Sequence, residues 1–151
     1  MGKSLKLGDF LPYRLSIASN RVSGAIATAY QALFGLRIPE WRLIAVIAEG
    51  GEMTQQAICR VTRMDKVTVS RAAIALVDRG LARRSPNADD QRSHHLSLTD
   101  AGHTLYDDVA PKALAIEQQI FAGFDRDELT RLREMLDRLE AAAATLDPER
   151  P

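Results

Sequence analysis

The stretch 54–99, TQQAICRVTRMDKVTVSRAAIALVDRGLARRSPNADDQRSHHLSLT, decides the fold. Thr54 is a good N-cap for a short helix, TQQAICRV, because its hydroxyl can accept from an otherwise orphaned backbone N–H. A turn at Thr62-Arg63-Met64 follows. Asp65 then caps a second helix, KVTVSRAAIALVDR, which Gly80 ends as the residue after the C-cap. Along that helix Val69, Ala72, Ala73 and Leu76 form an inward stripe, while Thr68, Ser70 and Arg71 are left on the outer side. Leu81 to Arg84 reads as a short strand, Ser85-Pro86-Asn87-Ala88-Asp89-Asp90 as turn material, and His94-His95-Leu96-Ser97-Leu98 as a returning strand.

Outward from this core the pattern is helical on both sides. Ile38-Pro39-Glu40 opens a helix carrying Trp41, Leu43, Ile44, Val46 and Ile47, stopped at Gly50-Gly51. Further upstream, Pro12 to Leu33 reads as one long helix of about 33 Å, with Val22, Ile26, Tyr30 and Leu33 on one face. Downstream, Thr99 or Asp100 caps a helix to about Phe121, kinked before Pro111. Asp125-Arg126-Asp127-Glu128 resembles a capping box. It opens a last helix with Leu129, Leu132, Leu136, Leu139 and Ala143 at spacings of 3 and 4, a seam too short to be stable alone. Helix, short helix, turn, helix and two-stranded hairpin is the order of a winged helix-turn-helix. The predicted class is mainly α with a small β-hairpin wing, flanked by N- and C-terminal helices.

The 151 residues make about one domain. A single Cys excludes an internal disulfide framework and a cysteine-rich zinc site. The opening MGKSLKLGDF lacks the apolar run of a signal peptide. The longest charge-free stretch, from Val22 to Leu36, is shorter than the roughly 20 residues of a membrane span. A soluble, cytoplasmic protein without membrane association is expected. Lys+Arg and Asp+Glu both total 20, which speaks against a nucleic-acid binder until the charges are located. Residues 54–99 carry eight basic residues against four acidic ones, a local +4. Residues 100–151 carry six against twelve, a local −6. A local basic patch matters more than the sum.

The chemistry of the central segment suits DNA. A helix fits the major groove, which is about 12 Å wide. Lys66, Thr68, Ser70 and Arg71 crowd the N-terminal half of the second helix, where donors reach base edges or phosphates, and Arg71 can bind guanine bidentately. Arg84 and Arg92 flank the hairpin tip, as an arm reaching a minor groove or phosphates requires. Thr54, Gln55, Val67 and Asn87 complete the candidate DNA-binding set.

The residues Asp65-Lys66-Val67-Thr68-Val69-Ser70-Arg71, Leu76, Gly80-Leu81, Arg84, Asp90-Gln91-Arg92 and Leu96-Ser97-Leu98-Thr99-Asp100-Ala101-Gly102 together resemble the MarR (multiple antibiotic resistance regulator) transcription factors. The D-x-R then L-x-L-T-x-x-G pattern carries most of this resemblance, which spans the chain as one domain. Phe10-Leu11-Pro12-Tyr13-Arg14-Leu15 and Glu40-Trp41-Arg42 look like a subgroup that responds to lignin-derived aromatics such as hydroxycinnamates. The resemblance implies a homodimer, with about 1–34 and 101–146 as intertwined dimerisation helices and about 38–99 as the winged helix-turn-helix. Leu129, Leu132, Leu136 and Leu139 would then join the dimer interface. It also implies that Arg92 enters the minor groove and that Asp90 orients the wing through a salt bridge. Members usually repress transcription and are released by a small ligand or an oxidant. Two positions depart from the pattern: Arg63 stands where Gly is frequent, and Thr62 where Leu is common.

Other features have plainer readings. Cys59 reads as a small buried hydrophobe of its helix rather than a redox sensor. His94 and His95 point to opposite faces of a strand and cannot easily share a metal. Tyr30 and Trp41 are core or pocket residues. Arg14 and Arg42, beside Tyr13 and these aromatics, suit either an aromatic carboxylate or inter-subunit ion pairs. No phosphate-cradling glycine loop, H-E-x-x-H or G-x-S-x-G is present, so neither catalytic residues nor a cofactor nor a metal is expected. The expected function is a homodimeric DNA-binding regulator, a repressor of catabolic or efflux genes released by a small aromatic acid or its CoA thioester and bound to a pseudo-palindromic operator. The alternative is a winged-helix module for protein–protein contact without DNA binding.

Overall fold

A computed structural model describes residues 2–89 and 93–147. Asp90 and Arg92, both assigned to the hairpin tip, lie outside the described residues. Residues 1–116 and 117–151 form two compact units.

The first unit starts with a 3-10 turn at Leu7–Asp9 and helix α1 (Leu11–Ala27). The long helix expected to Leu33 is instead broken. It ends at Thr28, whose hydroxyl donates to the Ala25 carbonyl at 2.7 Å. A one-turn helix α2 (Gln31–Phe34) follows. The break has a packing cause: Ala27, Ala29 and Tyr30 are buried. A hydroxyl that caps its own helix end competes with helix continuation. The first ten residues of α1 are exposed throughout.

Helix α3 (Ile38–Gly50) begins where Pro39 predicts, and the Arg37 N–H donates back to the Glu40 carboxylate at 3.4 Å. It buries Leu43, Ile44 and Ile47. Helix α4 (Gln55–Thr62) is capped as expected: the Ala57 N–H donates to Thr54 Oγ1 at 3.1 Å. Helix α5 (Lys66–Asp78) buries the foreseen stripe of Val69, Ala72, Ala73 and Leu76. Its end is a Schellman closure. Gly80, at φ 72°, donates to the Val77 carbonyl at 3.0 Å, and Leu81 donates to the Leu76 carbonyl at 2.9 Å.

The hairpin pairs β2 (Ala82–Pro86) with β3 (His94–Leu98), Ala82 opposite Leu98 and Pro86 opposite His94. A third strand, β1 (Met53–Thr54), joins the free edge of β3, giving the order β1-β3-β2. Two residues are too few to show an alternation in sequence. Helix α6 (Asp100–Ile120) is capped by Thr99, whose Oγ1 accepts from the Gly102 N–H at 3.1 Å and donates to the Gly80 carbonyl at 2.6 Å. The helix continues through Pro111. Leu105 and Val109 carry its buried face into the core formed by α3, α4, α5 and the sheet.

The turn between α4 and α5 holds Arg63 at φ 59°, ψ 15°, the only described non-glycine residue with positive φ. The frequent glycine there has a physical reason, since a side chain in this region costs about 1–2 kcal/mol. Thr62 offsets it by bridging the turn. Its hydroxyl donates to the Ile58 carbonyl at 2.7 Å and accepts from the Met64 N–H at 3.3 Å. Arg63→Gly is therefore expected to raise stability by up to about 1 kcal/mol, after glycine's greater loss of chain entropy. Chemical denaturation checks this; a lowered midpoint would contradict it.

In the second unit, helix α7 (Arg126–Ala144) opens with the foreseen capping box. The Glu128 N–H donates to Asp125 Oδ1 at 2.8 Å, and the Asp125 N–H to Glu128 Oε1 at 3.1 Å. Leu129 and Leu132 are half-buried, whereas Leu136 and Leu139 are 43% and 45% exposed. Phe121, Leu129, Leu132 and Leu136 line a groove of about 380 Å³.

Candidate functional site

The α4–turn–α5 unit presents one exposed end. Lys66, Val67 and Arg71 project from the first turns of α5, with Val67 59% exposed despite its apolar side chain. Such a surface offers charged donors beside a branched apolar group, the combination that reads guanine edges and thymine methyls. Ser70 is half-buried, as are Thr54 and Gln55 at the start of α4.

Two of the predicted contact residues have prior engagements. Thr68 donates through its N–H to Asp65 Oδ1 at 2.7 Å and through its hydroxyl to Asp65 Oδ2 at 2.9 Å. With its hydroxyl proton committed, Thr68 keeps only acceptor capacity. Asn87 donates to Ser93 Oγ at 2.9 Å and accepts from the Asp89 N–H at 3.1 Å, so its amide shapes the hairpin tip. Arg84 is exposed on β2.

The Thr68 backbone and hydroxyl bonds hold the Asp65 carboxyl below its usual range. The folded state thus binds this proton less readily than the unfolded chain. The cap contributes stability above the unfolded value of 3.8 and loses it as pH falls through the lowered folded value. Asp65→Asn is expected to flatten that part of the acid limb in thermal unfolding measured at a series of acid pH values. An unchanged acid limb would contradict the cap's role.

A second cluster is aromatic. Tyr30 stacks on Trp41 with ring centroids 5.5 Å apart and planes at 22°. Trp41 stacks in turn on Tyr106 of α6 at 5.9 Å and 16°. Burial raises the Tyr30 phenol above its ordinary value, against the opposing positive charge of Arg42. The structure thus brings Tyr30, Trp41 and Arg42 into one neighbourhood. Tyr13 and Arg14 sit apart on the exposed start of α1, where Arg14 donates to the Gly8 carbonyl at 3.0 Å. Sequence reasoning missed Tyr106, which lies 65 positions from Trp41 and has no local pattern linking the two.

A groove of about 400 Å³ separates α5 from the start of α3. It is lined by Arg37, Glu40, Thr68, Arg71 and Arg79, with Glu40 only 6% exposed. The acidic first turn of α3 was legible; its burial beneath α5 was not. Cys59 is half-buried and packed against the core, more exposed than the buried position expected of it. No described helix is long and apolar enough to cross a membrane. Among the described residues no cluster of three or more His, Cys, Asp or Glu is placed to hold a metal.

Residues 34–93 match the family model described as MarR family. The uncharacterized HTH-type transcriptional regulator YwoH of Bacillus subtilis (strain 168) is 30% identical over 95 residues, 63% of this chain and 68% of that protein. The crystal structure of a MarR family transcriptional regulator from Silicibacter pomeroyi DSS has a TM-score of 0.77 at 29% identity, covering 91% of each chain. CouR from Rhodococcus jostii RHA1, solved bound to p-coumaroyl-CoA, shares the fold with a TM-score of 0.77 at 23% identity, over 90% of this chain and 95% of that one.

Proposed function

The chain belongs to the MarR family of transcriptional regulators, and from that premise we propose that it is a homodimeric, sequence-specific repressor released by a small aromatic ligand. The observation that carries the DNA-reading part is the exposed end of α5, where Lys66, Val67 and Arg71 stand free of the core. In this reading α5 enters the major groove and α4 crosses the backbone, with Thr54 and Gln55 at phosphates. In this reading Arg84 of the hairpin meets the flanking groove, and Asp90 and Arg92, which lie outside the described residues, are proposed to act beside it. Thr68 accepts from a base amino group rather than donating, because its proton belongs to Asp65.

Two such units facing half-sites about 34–36 Å apart require a dimer. The exposed start of α1 and the Leu136 and Leu139 side chains of α7 supply unpaired apolar surface for it. Residues 38–99 then form the DNA-binding part, and 1–34 and 101–146 the dimerisation part.

The Tyr30–Trp41–Tyr106 stack with Arg42 supports an aromatic acid or its CoA thioester as effector. A planar π-surface beside a guanidinium suits a ring that carries a carboxylate or phosphate. The p-coumaroyl-CoA bound by CouR is a ligand of that class. The genes controlled would then serve catabolism or efflux of such compounds.

Gel-shift titration on the chain's own upstream region tests the reading. A specific complex is expected on that duplex and a much weaker one on an unrelated duplex of equal length. Hydroxycinnamates, benzoates and their CoA thioesters, added in turn, are expected to include at least one that dissolves the complex and raises the melting temperature of the free protein. Equal binding to both duplexes would overturn the repressor reading, and no response to any of the panel would overturn the aromatic effector.

A further inference from the structure

Arg79 is the C-cap residue of α5, yet its side chain serves another helix. Its guanidinium donates through Nη2 to the Phe34 carbonyl and through Nη1 to the Gly35 carbonyl at 3.4 Å. These are the terminal carbonyls of α2, which have no partner within their own helix. A guanidinium at a helix C-terminus satisfies such carbonyls and complements their partial negative charge.

Helix α2 is a single turn, about 6 Å long at ~1.5 Å per residue. The residue at its other end is Tyr30, which is 1% exposed and stacked on Trp41. Its last residue, Phe34, has the Lys112 Nζ of α6 6.0 Å from its ring centroid. One short element therefore has the aromatic stack at one end and the grip of α5 at the other. Buried Ala29 and Leu36 flank it on both sides and tie its two ends into the core.

We propose that Arg79 is a positioning residue that couples the Tyr30–Trp41–Tyr106 stack to helix α5 through α2. The proposal rests on the reading of α5 as the DNA-reading helix. A displacement of Tyr30 moves the Phe34 and Gly35 carbonyls, and Arg79 passes that movement to the end of α5. Linkage is reciprocal, so docking α5 on DNA must disturb the stack by the same coupling.

Trp41 is the single tryptophan of the chain and reports on the stack directly. The experiment uses the full-length protein and a duplex of its own upstream region. Binding is followed by anisotropy of a labelled duplex, and Trp41 emission by titration with the unlabelled one. In the wild type, saturating duplex is expected to change Trp41 emission. Arg79→Ala is expected to bind the duplex and lose the emission change, while Arg79→Lys, which still donates to a carbonyl, keeps part of it. If Arg79→Ala does not fold by circular dichroism, Arg79→Met takes its place, keeping the stem without donors. A merely structural Arg79 would lower the melting temperature and leave the emission change intact; that result overturns the proposal. So does a wild type that binds the duplex with no change in emission. A wild type that shows no duplex binding by anisotropy instead removes the reading of α5, and the proposal falls with it.

Discussion

Gly102→Ala is expected to destabilise the first unit by about 3 kcal/mol or more, the upper end for inserting a methyl where nothing can give way. A Cβ at this position would lie 2.1 Å from the Leu81 carbonyl oxygen, 3.2 Å from its carbonyl carbon and 3.3 Å from the Leu98 Cβ. The obstacle is backbone, and that same Leu81 oxygen accepts from the Thr99 N–H at 3.1 Å. To make room, α6 would have to withdraw from the strands and give up the Thr99 cap that holds Gly80 and Gly102 together. A loss of this size is a large share of the 5–15 kcal/mol of a typical domain. Urea denaturation followed by circular dichroism reads it; a midpoint equal to the wild type would show that α6 does not approach Leu81 this closely.

The second large effect is on DNA affinity. Arg71→Ala is expected to weaken binding to the specific duplex by about 1–3 kcal/mol, or roughly 5- to 150-fold. Arg71 is exposed on α5, whereas the neighbouring Ala72 and Ala73 are buried and anchor the helix, so its loss leaves the fold intact. A guanidinium that binds a guanine edge specifies sequence, whereas one on a phosphate adds only general affinity. The loss should therefore be confined to duplexes carrying the recognised base. A uniform loss on every duplex would move Arg71 from base to phosphate.

Much of this arrangement was legible because it is local. The Thr54, Asp65 and Asp125 caps lie within three residues of the N–H groups they serve, and each is present. The inward stripe of α5 follows from helical spacing alone, and the motif glycine at 102 has its reason in the approach of Leu81. What escaped depends on distance along the chain. The turn at Thr28–Tyr30 interrupts a continuous helical pattern because Tyr30 must reach Trp41, a tertiary demand that periodicity does not express. Tyr106 completes the stack from another helix, and Arg79 reaches carbonyls 44 and 45 residues away. The competition for Thr68 was hidden for a different reason: residue type gives donor capacity, and only the geometry shows that Asp65 has already taken it.

The zero net charge of the sequence fits the same account. The basic excess is concentrated in 54–99 and the acidic excess in 100–151, so attraction to DNA is local to the segment that carries α5 and the hairpin. A chain without overall positive charge is expected to hold nonspecific DNA weakly at physiological salt.

Methylation interference distinguishes α5 docked in a major groove from any other mode of docking. Guanine N7 faces that groove, so a methyl group there blocks a helix that reads it. Methylation of a guanine in each half-site of the upstream duplex is predicted to exclude the wild-type protein, and the Arg71→Ala variant is predicted to lose that sensitivity. Binding that tolerates N7 methylation at every guanine while remaining sensitive to minor-groove modification would contradict the account.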